Sequence, residues 1–280
     1  MNFNDIINQL ASTDSTEFEK KEDRRGLLKG FGAKLAVAAL PIAAGSLFSN
    51  KAYGQSKETI INVLNYLLKL ELVKEKLYAE AGNVTDLIPA VYTEQFARIA
   101  VNNKSHITIL QNIVTELGGT PYTVDPTKID TTGGFGSGSG PFYKALTSFE
   151  EYLILMQVLS DGGVRIYKGQ ITEVASDKAT VYALMQIHSV IARQATFIRY
   201  VRGYWVGADI KPWITNANSD TTNTAAQRAY SGETLTTQAG INIIGINGFT
   251  VNAASASQAF DEPLIMVDGN NIINRFIDLT

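Results

Sequence analysis

Apolar side chains recur at alternating three- and four-residue steps through four long stretches of the chain, the spacing that lines one face of an α-helix. From Ser56, an expected N-cap, to Gly82, an expected residue just past the helix end, the stripe runs Ile60, Leu64, Leu67, Glu71, Tyr78. A second helix, predicted from about Thr93 to Leu117, carries Phe96, Ile99, Asn103, His106, Leu110, Ile113 and Leu117, and Gly118-Gly119 is expected to end it. The third, from about Leu146 to Gln170, runs Phe149, Leu153, Met156, Ser160, Gly163, Tyr167. The fourth begins after Ser176, runs Leu184, Ile187, Ile191, Gln194, Ile198, Val201, and is expected to stop at Gly203. Polar side chains interrupt each stripe near mid-length: Glu71, then Asn103 and His106, then Ser160, then Gln194.

Connection lengths set the topology. The first and third links are short, which makes their helices antiparallel neighbours, whereas residues 118–144 form a link of 27 residues rich in Gly, Ser, Thr and Pro. A 25-residue helix is only about 37 Å long, so that link can cross the whole bundle. The fold class is therefore all-α: a four-helix bundle with one long crossover, the ferritin-like arrangement. The run Gly133-Gly134-Phe135-Gly136-Ser137-Gly138-Ser139-Gly140 lacks the Gly-Lys-Ser/Thr ending of a phosphate loop and reads as a flexible crossover. The bundle is assigned to residues 55–203 and a loop-rich C-terminal extension to 204–280. In the extension, Trp205 and Trp213 are expected to anchor on the bundle, Ile241 to Val251 to form a hairpin turning at Asn247-Gly248, and Asp268 to cap a last short helix. That helix would pack Ile272, Ile273, Phe276 and Ile277 back on the core.

Composition narrows the function. Lys and Arg number 24 against 27 Asp and Glu, so the chain lacks the basic surplus that phosphate backbones require, and nucleic acid is not an expected partner. The absence of cysteine excludes disulfides, thiolate metal sites and cysteine nucleophiles, and two histidines, His106 and His188, exclude a His-rich cage. Residues 1–25 are polar, and Gly26 to Phe48 is mostly Gly, Ala, Leu and Val, interrupted by Lys29, Lys34 and Pro41. That stretch is too weakly apolar for a permanent membrane span. The order Asp23-Arg24-Arg25-Gly26-Leu27-Leu28-Lys29 resembles a twin-arginine export signal, with Ala52-Tyr53-Gly54 similar to a cleavage site, so residues 1–54 are expected to direct export to the periplasm or cell envelope. An uncleaved amphipathic arm or membrane anchor is the alternative.

A di-iron site in such a bundle takes one Glu from each of two helices and a Glu-x-x-His pair from each of the others. Two cations in a dry core need about four carboxylates to offset their charge, with imidazoles completing coordination. Several separated motifs bear on this: Leu64-Asn65-Tyr66 through Leu70-Glu71 to Leu77-Tyr78, Gly163-Val164-Arg165-Ile166-Tyr167, His188 to Ala195, and Ala259-Phe260-Asp261-Glu262-Pro263-Leu264. Together they resemble the exported bacterial ferritin-like family related to plant desiccation-associated proteins, over roughly residues 57–280. The resemblance implies metal ligands at positions that this chain mostly lacks. Glu71 stands at the first-helix Glu position and His106 at the second-helix His position. Asn103 and Ser160 stand where Glu is implied, and Ile191-Ala192-Arg193-Gln194 replaces Glu-Ala-Arg-His.

Glu71 and His106 are thus the residual metal candidates, and three readings stay open. They form a buried ion pair bonded to Asn103 or Gln194, or hold a single divalent metal or iron with neutral oxygens, or belong to an atypical oxidase or iron-storage site. Glu75 adds a carboxylate if the helix is rotated and otherwise pairs with solvent. His188 reads as a packed or surface histidine, and Glu150-Glu151 and Asp261-Glu262 as solvated charge. No nucleophile elbow, His-Glu-x-x-His or dinucleotide glycine pattern is present. The sequence therefore predicts no cofactor and a structural or binding role rather than an oxidase, is compatible with a homo-oligomer, and names no partner.

Overall fold

Ser56 accepts a hydrogen bond from the Thr59 amide and opens helix α1, Lys57–Asn83, in a computed structural model that describes residues 55–238 and 240–280. The export leader expected over residues 1–54 lies outside the described residues. Helix α2 spans Thr93–Glu116, and Gly118 just beyond it takes the left-handed backbone (φ 80°) that lets the chain turn away. Ser148 caps α3, Phe149–Ile171, and Asp177 caps α4, Lys178–Val206, each by accepting an amide of the first turn. Two expected stops move. Gly82 lies inside α1, and α4 passes Gly203 to end at Gly207, which adopts φ 64°. Gly203 instead lets the chain fold back, because its carbonyl accepts from Ala208 and a β-carbon there would crowd Ala208 and Ile210.

α1 packs chiefly on α2 and α3 on α4, while α1 also meets α3 and α2 meets α4, which closes a four-helix bundle. Every apolar stripe position of α1, α3 and α4 named above is buried. α3 is buried on all sides from Tyr152 to Tyr167, because its second face is covered by the C-terminal extension. The adjacent glycines divide these roles: Gly163 faces Ile191 and Leu70 inside the bundle, whereas Gly162 faces Ala229 and Ile272 of the extension.

The crossover is not a loose tether. Asn65 on α1 donates to the Thr120 carbonyl and accepts from the Tyr122 amide at 2.7 Å, fixing the start of the link to the bundle. Farther on, one Asp130 carboxylate oxygen accepts the amides of Gly134, Gly136 and Gly138, each at 3.1 Å, and the other accepts from Thr132. The glycine-rich run therefore does form an anion cradle, and the chain's own carboxylate occupies it. Gly136 and Gly138, at φ 90° and 67°, supply the left-handed backbone this needs. The cradle is stitched to the C-terminus through Asp130 N–H to the Phe276 carbonyl and Phe135 N–H to the Arg275 carbonyl.

In the extension the hairpin sits earlier than its turn signal suggested. Thr237–Gln238 (β1) pairs antiparallel with Ile241–Asn242 (β2), while Ile246–Gly248 forms a 3-10 turn. Two short helices follow, α5 at Ala253–Gln258 and α6 at Met266–Ile273. Asp268 lies in the first turn of α6 rather than at its cap, which is Ile265. Ile272, Ile273, Phe276 and Ile277 are all buried on the core, as their spacing required. Trp205 packs edge-on against Phe149 with ring centroids 4.9 Å apart yet stays half-exposed, as does Trp213. Bundle and extension fall within one compact unit. Among the described residues no helix is long and apolar enough to cross a membrane.

Candidate functional site at the bundle centre

Glu71 is wholly buried at mid-length of α1, and four side chains converge on its carboxylate. Asn103 of α2 donates from Nδ2 to Oε2 at 2.6 Å and to the Glu71 carbonyl at 3.2 Å. His106, one turn further along α2, places Nδ1 3.3 Å from Oε2. Tyr167 of α3 donates its hydroxyl to Oε1 at 3.2 Å. The fourth partner is Lys74, whose ammonium bridges both oxygens at 3.3 and 3.2 Å and which is itself 0 % exposed.

Burial pushes the Glu71 carboxyl up, but the Lys74 charge and the His106 and Asn103 hydrogen bonds outweigh it and hold the group down at about 2. The carboxylate is anionic across the physiological range and fully partnered. Tyr167 and Tyr78 are driven the other way, first by burial, then by the Glu71 charge for Tyr167 and by Tyr152 and Glu71 for Tyr78, so both phenols stay neutral. Asn103 Oδ1, by contrast, is buried without a partner, as is the Tyr78 hydroxyl.

The structure brings Glu71, Asn103 and His106 together as their stripe positions implied, and leaves the other candidates apart. Ser160 and Gln194 are buried, yet neither hydrogen-bonds to Glu71, and both amide atoms of Gln194 lack a partner. Glu75 is half-buried outside the cluster: the helix brings Lys74, not Glu75, to the Glu71 carboxylate. His188 is half-buried, with burial and then Lys168 pushing its imidazole down. Asp261-Glu262 is not the solvated pair expected. Glu262 is only 7 % exposed, and burial followed by the nearby Asp161 raises the Asp261 carboxyl.

Sequence reasoning gave no role to a second buried polar system, which fastens the extension to α3 and α4. Arg165 donates to the carbonyls of Ala229, Ser231 and Glu262, and pairs with Glu233 at 2.5 Å. Arg199 grips Asp161 at 2.8 Å and Asp220 at 3.1 Å, and Tyr230 donates to the same Asp161 oxygen. Arg202 spans Gln157 and the Asp220 carbonyl. The motif Gly163 to Tyr167 thereby meets the motif Ala259 to Leu264, since the Leu264 amide donates to the Arg165 carbonyl. A β-carbon on Gly169 would collide with the Leu264 carbonyl, so the approach depends on glycine.

A cavity of about 650 Å³ lies at another end, between Glu150, Glu151 and Arg202 and the loop residues Asp209, Asp220 and Asn223. None of the Glu71 cluster lines it, and its mixture of charges selects no ligand class.

The bundle, its crossover and its buried mid-length polar centre define a ferritin-like protein. Residues 59–204, just over half of the chain, match the family model of the ferritin-like domain, and the chain belongs to that family. No curated protein and no solved structure matches it. The two-iron cofactor of such bundles does not fit the residues present. Among the described residues no three His, Cys, Asp or Glu side chains converge, and the single central carboxylate is already bound by an ammonium and an amide N–H.

Proposed function

We propose that this chain is an exported ferritin-like protein of the cell envelope whose bundle centre works without a di-iron cofactor, in a structural or binding role. One observation carries the reading: the single carboxylate at the centre, Glu71, spends both oxygens on Lys74, Asn103, His106 and Tyr167. Two irons need about four carboxylates and open coordination positions, and this centre offers neither. Export is supported by Arg24-Arg25-Gly26-Leu27-Leu28-Lys29 and by the weakly apolar stretch after it. Residue-level resemblance to exported bacterial relatives of plant desiccation-associated proteins points to the same compartment.

The test is to purify the native protein separately from cytoplasm and periplasm, then measure its N-terminus and bound metal. The expected result is a periplasmic chain beginning near Gln55 with no stoichiometric metal. About two irons per chain would overturn the metal-free reading. A mature N-terminus at Met1 would overturn export. The 3.3 Å contact between His106 and Glu71 favours one rival, a lone divalent ion on that pair, and about one ion per chain would establish it.

A further inference from the structure

We propose that the Lys74 ammonium is a tethered substitute for the metal charge, so that this bundle has exchanged a diffusible cation at its centre for a covalently attached one. The proposal rests on the metal-free reading and goes beyond it by naming what took the cofactor's place. Three observations point to Lys74. It is fully buried, which lysine is almost never unless paired. Its Nζ bridges both oxygens of the carboxylate at nearly equal distance, where a counter-cation must sit. The other groups that meet this carboxylate, one imidazole, one amide and one phenol, add no second carboxylate, so the set suits one positive charge rather than several.

Loss of the other ligands then follows from charge balance. With a single positive charge fixed at the centre, further carboxylates at positions 103, 160 and 191 would be uncompensated in a dry core. Asn103, Ser160 and Ile191 are neutral and buried, as that balance demands. Asn103 Oδ1, without a partner, is a neutral oxygen beside the cluster of the kind a small cation would use.

An ordinary structural ion pair would also be buried and would also be missed when cut, so the experiment must separate the two. Full-length Lys74→Ala protein and the double variant Lys74→Ala/Glu71→Gln are compared with wild type, first in chelator and then with Co²⁺, followed by thermal unfolding and by the visible absorption of bound cobalt. Wild type is expected to ignore Co²⁺. Lys74→Ala should melt well below wild type in chelator, take up about one Co²⁺ per chain, and regain roughly 5 °C or more at a hundredfold excess over its dissociation constant. The double variant should melt above the single one in chelator and ignore Co²⁺, because no unpaired charge is left. Lys74→Ala protein that is unaffected in chelator, that stays blind to Co²⁺, or that remains unfolded in Co²⁺ while the double variant folds would overturn the substitution. Stoichiometric Co²⁺ uptake by wild type would instead overturn the metal-free reading beneath it.

Discussion

At the scale of single residues, the centre of the bundle is an acid-sensitive lock. The Glu71 carboxyl is held at about 2 in the folded chain against an ordinary value of 4.5. A carboxyl lowered by folding contributes stability that is present above its unfolded value and is lost as pH falls through the folded one. The window therefore runs from about pH 4.5 down to about 2, and the contribution is on the order of 3 kcal/mol. Urea unfolding across that range should show wild-type stability falling more steeply with acid than that of Glu71→Gln. Parallel slopes would mean that the Lys74 pair carries no such weight. The stripe read from the sequence passed over the lysine, although Leu67, Glu71, Lys74 and Tyr78 continue the three- and four-residue stepping without a break. What hid it was its charge, since a lysine on a stripe suggests a solvated edge and only the packed structure shows it desolvated and paired.

At the scale of elements, the four helices could be read directly because each carries an apolar stripe and three of them, α1, α3 and α4, open on a capping side chain. The crossover could not, because its order depends on one carboxylate collecting amides up to eight residues away. Asp130→Ala should release that cradle and cost about 2 to 3 kcal/mol, since several charge-assisted hydrogen bonds go at once. A change below about 0.5 kcal/mol in urea unfolding, typical of an ordinary surface site, would show that the cradle is not held by its carboxylate. The extension has the opposite pH sense to the centre. Burial first of all pushes the Glu233 carboxyl up to about 7 despite the Arg165 charge, with one of its oxygens left without a partner. A carboxyl raised by folding favours the protonated fold, so its contribution is full below about pH 4.5 and is lost as pH rises through about 7. Glu233→Gln should flatten that decline. An unchanged slope between pH 5 and 7 would place the titration elsewhere.

At the scale of the whole molecule, the bundle is not self-sufficient, and α3 shows why. Its outward face carries Gln157, Asp161, Gly162, Arg165 and Gly169, positions that meet Tyr230, Ala229, Glu262 and Leu264 of the extension rather than water. The family match ends at residue 204, yet the chain beyond it supplies the lid for the most buried helix. A chain ended after Gly207 would leave Arg165 and Asp161 without Glu233 and Tyr230, and would open Ile166 and Val164 to solvent. Unpaired charge and exposed apolar surface on one helix together exceed what a domain with a stability of about 5 to 15 kcal/mol can absorb. The truncated protein should keep much of its far-ultraviolet helical signal, lose its near-ultraviolet signal and bind a hydrophobic dye, the marks of a collapsed but unfixed core. Cooperative unfolding of the truncated chain at a midpoint close to that of the full one would show that the four helices stand alone and that the buried arginines Arg165, Arg199 and Arg202 serve something other than the fold.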